Sequence, residues 1–306
     1  MVGEDDPDRS VELLWRAADG PVREGLSVGA IVRAAVEIAD ADGLDGVSMR
    51  RVGERLGFTS MSLYRHVPGK AQLIDLMCDT VMAELSRARP SATGHAETTA
   101  RPAEGRGSGW RERLEGWARE GWALQGRHPW LAEVRGTRHV PGPHSIADFD
   151  HALSTVAGTG LRPAEMVAVV GLVGRFVDGE AVRAAEVART ERETGQSEED
   201  WWSARQSLFD RLDRYPALTA IWESGGYDSP EDSFEFGLAR VLDGIEALIR
   251  ARDERRDERR VCVMCGTPLD PAGSGRPRAY CSRACRQRAY RERRTTPRPA
   301  DTPDPR

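Results

Sequence analysis

The sequence predicts an all-α protein in three parts: an N-terminal three-helix helix-turn-helix domain, an antiparallel helical bundle, and a small C-terminal zinc-binding module. Three observations point there. Apolar residues recur at three- and four-residue spacing from Ser27 to about Ala251, with no alternating strand pattern of useful length. Two short periodic segments near the start are separated by a glycine turn. Four of the five cysteines stand in two close-spaced pairs near the C-terminus.

Residues 1–26 are polar and mixed in charge, apart from Val11-Glu12-Leu13-Leu14-Trp15, and are expected to form a flexible arm. Residues 27–87 make the helix-turn-helix domain with its connecting helix. Ile31, Ala35 and Ile38 give the first helix its apolar stripe, Ser27 can cap it and Gly43 fits its end. Met49, Val52 and Leu56 mark a second short helix from Ser48. Gly57 supplies a turn, and Thr59 can cap a third helix from Ser60 to about His66. Pro68-Gly69 breaks that helix, and a fourth starts near Lys70 with Leu73, Ile74, Met77, Val81 and Leu85 inward. The Ala-, Thr-, Gly-, Pro- and Glu-rich stretch 88–108 lacks periodicity and is expected to be a flexible linker. Residues 109–251 form the bundle, with helices expected from Trp110 and then near 145–157, 163–189, 198–214, 216–222 and 230–251, and a polar loop at 190–197. Residues 252–261 are a charged linker or helix extension, 262–294 the zinc-binding module, and 295–306 a disordered tail.

Composition removes several classes. No apolar run is long enough to span a membrane, and the acidic start, Met1 to Asp6, has no signal segment behind it. A cytoplasmic protein with no membrane partner is expected. The net charge of -5 argues against a uniformly basic nucleic-acid coat, but not against local basic patches. Five cysteines in 306 residues are too few for a disulfide scaffold. No assembled acid–base pair, Cys-His pair or glycine-rich phosphate loop suggests an enzyme, and His95, His139 and His144 lie in polar or loop contexts.

The third short helix is suited to entering a major groove end-on. Ser60, Ser62, Arg65 and His66 are its exposed candidates: hydroxyls suit base edges or phosphates, and an arginine forks onto guanine. Leu63 should face the core against Val52 and Leu56. Tyr64 is either a phosphate donor or a core aromatic, and His66 a DNA contact or a packed side chain. Lys70 stands at the start of the next helix, where its charge and the free N–H groups suit a phosphate. Arg50, Arg51 and Arg55 add positive charge nearby.

These residues form one string. It runs from Ile31-Val32-Arg33-Ala34-Ala35 through Gly43-Leu44-Asp45-Gly46-Val47-Ser48-Met49-Arg50-Arg51-Val52 to Leu56-Gly57-Phe58-Thr59-Ser60-Met61-Ser62-Leu63-Tyr64-Arg65-His66-Val67-Pro68-Gly69-Lys70. It resembles the DNA-binding domain of the TetR family of repressors. The resemblance implies a homodimer with two recognition helices in successive major grooves of a palindromic double-stranded DNA operator. It implies that Thr59, Tyr64, His66 and Lys70 anchor the backbone, while Ser60, Met61, Ser62 and Arg65 vary with the operator. Gly53 stands where a small residue such as Ala is usual, and its missing Cβ either loosens the helix or permits close packing. His128-Pro129-Trp130-Leu131-Ala132 and Phe234-Glu235-Phe236-Gly237-Leu238-Ala239-Arg240-Val241-Leu242-Asp243-Gly244-Ile245 resemble the regulatory domain of the tetracycline-repressor-like branch. That implies a cavity for a small-molecule effector of unknown identity and a dimer interface built from the late helices. The implied mechanism is a population shift in which the ligand moves the connecting helix and operator affinity falls.

Read from the residues themselves, Trp117, Trp122, Phe176, Trp202 and Phe209 are candidates for an aromatic-rich ligand pocket or for ordinary core. Met166, Val167, Val169, Val170, Leu172, Val173, Phe176 and Val177 crowd one segment, as in a helix that is deeply buried or shared between a core and a partner. Phe234, Leu238, Val241, Leu242 and Ile245 form a stripe suited to a dimer interface or to the monomer core. His128 and His151 are ligand contacts or surface residues.

Cys262-x-x-Cys265, fifteen intervening residues and Cys281-x-x-x-Cys285 offer four thiolates to a tetrahedral structural Zn2+. Gly266 permits the tight turn such a knuckle needs. The module is too small to fold on a hydrophobic core, so metal binding would supply folding free energy. Arg276, Arg278, Arg283, Arg286, Arg288, Arg291, Arg293 and Arg294, opposed within that stretch only by Glu292, suit phosphate contacts, with DNA, RNA and protein as candidate partners. Cys78 reads as a small buried apolar residue. The competing function is an architectural or interaction protein that binds DNA without an effector.

Overall fold

The computed structural model describes residues 7–19, 25–88, 109–134, 139–228, 231–258, 262–267, 269 and 279–295, and every regular element among them is helical. The head is built by local chemistry. Helix α2 (Val28–Asp42) starts where the Ser27 hydroxyl accepts the Ala30 N–H at 3.3 Å. A short 3-10 turn, Leu44–Gly46, leads to α3 (Met49–Leu56), capped by Ser48. Gly57, with φ +74°, takes the left-handed conformation that turns the chain into α4 (Ser60–Tyr64), itself capped by Thr59. At Gly53 a Cβ would stand 2.7 Å from the Phe58 carbonyl oxygen, so the glycine is what permits the close approach. Helix α5 (Lys70–Ala88) then leaves the head. Ile31, Val32, Ile38, Val47, Val52, Leu63, Val67, Leu73 and Met77 fill the space between these helices and are all buried. Each such side chain contributes about 1.5–3 kcal/mol of hydrophobic free energy.

The N-terminal arm is not loose throughout. Pro7–Asp19 form α1. Its Leu14 is buried in the head's core with Leu13 and Ala17 packed beside it, while Val11 and Trp15 stay exposed.

In the body, α6 (Trp110–Arg127), the short α7 (Leu131–Val134), α8 (Pro143–Thr155) and α9 (Pro163–Thr194) pack around one another and the far half of α5. The polar loop expected at 190–197 is partly helix. The Thr190 and Thr194 hydroxyls donate to the carbonyls of Glu186 and Thr190, and α9 runs on until Gly195, with φ +67°, ends it. Where one helix was expected over 198–214, the chain makes two short ones, α10 (Glu198–Ser203) and α11 (Gln206–Phe209), before α12 (Pro216–Glu223). No side chain from Glu198 to Tyr227 is buried.

Helix α13 (Ser233–Glu258) follows. The chain divides into two compact units, 1–244 and 245–306, and the division falls within α13. The second unit holds the cysteine cluster and α14 (Arg283–Thr295). The expected linker beyond Ala88 and the tail beyond Thr295 lie outside the described residues. Among the described residues no helix is long and apolar enough to cross a membrane.

One buried cluster connects head and body. It runs from Leu14 and the α2–α4 core along Leu76, Cys78, Val81 and Leu85 of α5 to Leu124, Trp130, Leu131 and Val134.

Candidate functional site

Helix α4 turns Leu63 into the core as the sequence predicts, but of the four residues expected on its exposed side only Arg65 is fully exposed. Leu63 is fully buried, Met61 is 71% and Tyr64 46% exposed, Thr59 and Arg65 are exposed, and Ser60, Ser62 and His66 are half-buried. Tyr64 is therefore not a core aromatic. The Thr59 and Ser62 hydroxyls lie 3.0 Å apart at the helix start. Lys70 is exposed, and its ammonium donates to the Leu44 carbonyl at 3.3 Å. The neighbouring arginines are not the free charges the sequence suggested. Arg50 pairs with Glu54 at 3.2 Å, Arg55 with Glu37 at 2.6 Å, and Arg51 with Asp42. Arg65 and Lys70 have no acid partner among the described residues.

A cavity of about 380 Å³ opens in the body against α5. Cys78, Met82 and Leu85 of α5 form one wall, and Trp117, Leu124, Phe149, Val170 and Val177 add apolar surface. Its polar lining is Gln125, His139, Ser145, Asp148, Arg175 and Asp178. Asp148 accepts the Trp117 indole N–H at 3.1–3.2 Å. Gln125 is 6% exposed; its amide donates to Asp178 at 3.1 Å, while its carbonyl oxygen has no partner among the described residues. A buried acceptor without a donor costs about 1–3 kcal/mol, and in a cavity wall a ligand can supply that donor.

Of the five aromatics expected to line a pocket, Trp117 alone lines this cavity. Trp122 and Phe176 stack on Phe234 of α13, with ring centroids 4.6 and 5.9 Å apart. Trp202 meets Trp201, and Phe209 meets Trp222, in the α10–α12 segment. The stripe expected at a dimer interface is also internal. Phe234, Leu238, Leu242 and Ile245 are 1–3% exposed in the single chain, and Val241 is half-buried. Ion pairs at 2.7 Å, Arg119–Glu235 and Arg111–Asp243, hold the first half of α13 on α6. The large apolar side chains that α9 and α13 turn outward are Val167, Leu172 and Phe236.

Sequence reasoning missed the joint between head and body. Asp40 of α2 accepts the Trp130 indole N–H at 2.7 Å and lies 2.7 Å from His128 Nδ1. Glu84 of α5 faces His128 Nε2 at 3.1 Å and accepts two bonds from Arg127. His128 is buried in this joint; it does not line the cavity beside Trp117 and is not a surface residue. Burial pushes the Glu84 carboxyl up, but the His128 and Arg127 donors outweigh it and hold the group below the ordinary glutamate value. A second joint forms at Asp79, buried on α5, which accepts from the Ser145 N–H at 2.9 Å and hydroxyl at 3.1 Å and faces His144 Nδ1 at 2.9 Å. It satisfies the start of α8 from a different helix. The His128-Pro129-Trp130 string was the one sequence signal for either joint.

In the second unit the four cysteine sulfurs lie within 4.8 Å of one another. The Cys265–Cys281 and Cys281–Cys285 separations are 3.5 Å, and Cys265–Cys285 is 3.6 Å. A tetrahedral thiolate site with zinc–sulfur bonds of about 2.3 Å has sulfur edges near 3.8 Å, whereas a disulfide would need about 2.05 Å. The cluster therefore fits a shared cation. The backbone forms the knuckle through Gly266 N–H to Cys262 carbonyl at 2.8 Å, and the Ser282 hydroxyl accepts the Cys285 N–H at the start of α14. Hydrogen bonds with the Cys265 and Cys285 thiols push the Cys281 thiol up to about 12.

Residues 31–77 match the family model for bacterial regulatory proteins of the tetR family, and residues 101–249 match that for the tetracyclin repressor-like C-terminal domain. The chain is 38% identical over 257 residues to the HTH-type transcriptional repressor DrrR1 of Streptomyces coeruleorubidus, covering 82% of this chain and 89% of that protein. It is 26% identical over 221 residues to the tetracycline repressor protein class A from transposon 1721 of Escherichia coli, covering 72% and 90%. Among solved structures, ActR of Streptomyces coelicolor in complex with actinorhodin aligns with a TM-score of 0.56 at 25% identity, over 74% of this chain and 97% of that one. Both family matches end before the cysteine cluster. An exposed reading helix on a helical body with an internal cavity, matched along most of its length by known regulators, means that the chain belongs to the TetR family of ligand-responsive, DNA-binding transcriptional regulators.

Proposed function

We propose that the protein is a repressor: its homodimer holds two α4 helices in successive major grooves of a palindromic operator, and a small molecule entering the body cavity releases it. The observation that carries this reading is the double use of α5. Leu73, Leu76 and Met77 pack in the head, while Cys78, Met82 and Leu85 line the cavity one turn further on. Close-packed interiors transmit a displacement rather than absorb it, so a ligand wedged against α5 shifts the reading head. The Asp40–His128–Glu84 contacts hold the unliganded arrangement.

Thr59, Tyr64, His66 and Lys70 take the phosphate backbone, and Ser60, Met61, Ser62 and Arg65 face the bases. The effector is an apolar molecule with a hydrogen-bond donor placed for the unpartnered Gln125 carbonyl. The likeness to ActR, seen with actinorhodin, supports an internal effector. Val167, Leu172 and Phe236 meet their copies across the dimer, and the protein works in the cytoplasm. Cys262, Cys265, Cys281 and Cys285 hold a structural Zn2+; four protein ligands leave it no open position for chemistry.

Linkage gives the test. Compounds that raise the melting temperature of the free protein by binding the cavity must lower its operator affinity. A tightly bound cavity ligand that leaves operator affinity unchanged removes the release mechanism. Elemental analysis should find one zinc per chain, and a metal-free protein with all thiols reduced overturns the zinc assignment.

A further inference from the structure

Helix α14 carries Arg283, Arg286, Arg288, Arg291, Arg293 and Arg294 against a single acid, Glu292, in a chain whose net charge is -5. Helical spacing sorts its residues. Cys285 and Ala289 lie on one side, half-buried and buried. Arg283, Arg286, Gln287 and Tyr290 lie on the other and are exposed. Arg283, Arg286 and Arg288 have no acid partner among the described residues, unlike Arg50, Arg51 and Arg55 in the head. Cys281 stands just before this helix and Cys285 in its first turn, so closing the metal site fixes where the arginines point.

We propose that α14, folded by the four-cysteine metal site, is a second DNA contact that grips the phosphate backbone of the duplex. The proposal rests on metal occupancy of that site, and it goes beyond the family, whose matched regions end at residue 249. A helix of 13 residues is about 20 Å long. A duplex offers one phosphate charge per roughly 1.7 Å of its axis, enough for each arginine of this face. Duplex DNA is favoured over RNA because the face is built of guanidinium groups with one exposed aromatic, Tyr290, rather than the stacking platform that single strands need. It is favoured over a protein because the same chain already carries a duplex reader, which raises the effective concentration of phosphates at the second contact.

The test compares the full-length, zinc-loaded protein with the double variant Arg283→Gln, Arg286→Gln on a mixed-sequence duplex of about 40 base pairs, since phosphate contacts do not depend on sequence. The variant keeps all four cysteines, and its zinc content verifies that the module has folded. The slope of log affinity against log salt should become shallower by about 2 for each engaged module, at about 0.9 per phosphate. Affinity at fixed moderate salt should fall at least tenfold. Removing zinc from the parent should reproduce the loss and add nothing in the variant. An unchanged slope and affinity in the zinc-loaded variant overturns the proposal. So does a loss confined to single-stranded RNA of the same length, and so does a loss that zinc removal from the parent fails to reproduce.

Discussion

At Gly53 two preferences oppose each other. Alanine favours a helix interior by up to about 1 kcal/mol, yet its Cβ would press on the Phe58 carbonyl, a backbone atom that cannot swing aside. Overpacking costs about 1–3 kcal/mol, so Gly53→Ala should lower stability by about 1 kcal/mol and weaken DNA binding by displacing α4. An unchanged or raised melting temperature contradicts this. Glu84 gives a pH signature. Its folded carboxyl ionises below the ordinary value of 4.5, so its contribution is fully present above that pH and is lost as the pH falls through and below it. Denaturation midpoints should therefore drop more steeply in acid for the parent than for Glu84→Gln; parallel curves would detach Glu84 from the joint. At this scale the sequence is legible where the chemistry is local. Ser27, Ser48 and Thr59 cap their own helices, and a cap needs only a hydroxyl three residues from its target. The partners of Asp40 and Glu84 lie 88 and 44 residues away, and no local pattern announces them.

Periodicity tells which face of a helix is apolar, and is silent on what covers it. That suffices for α4, where Leu63 turns in and Met61, Tyr64 and Arg65 turn out. For α13 it leaves interface and core open: the stripe, Leu238 included, is buried in its own chain, while Phe236 faces outward. The two should separate experimentally. Phe236→Glu is expected to leave a folded monomer by sedimentation at concentrations where the parent is a dimer, while Leu238→Glu should unfold the body. A dimer unaffected by Phe236→Glu would place the interface elsewhere. Helix α1 was missed because Leu13, Leu14 and Ala17 are too few to outweigh a polar composition until the α5 surface is there to receive them.

The three parts expected from composition are not the two compact units of the structure, whose division falls within α13, but the cysteine spacing is enough to bring four thiols together. The cavity was not legible, because a void arises where several helices fail to meet, and no single segment encodes it. Four of the five expected aromatics belong to other packing sites, while Gln125, Asp148 and Asp178 came forward only when the helices were assembled. Gln125→Leu removes the unpartnered carbonyl, and should weaken effector binding about tenfold, near 1.4 kcal/mol, while leaving operator affinity in the absence of effector unchanged. Equal effector affinity in parent and variant would move the ligand away from this wall.

The central claim, a dimeric sequence reader, is tested most directly by selecting zinc-loaded protein on a random double-stranded DNA pool at fixed salt. The account predicts recovery of one palindrome whose half-sites, held by two copies of α4, stand at a fixed spacing. Retention of DNA with no preferred sequence would contradict it, leaving backbone attraction alone and an architectural protein in place of a regulator.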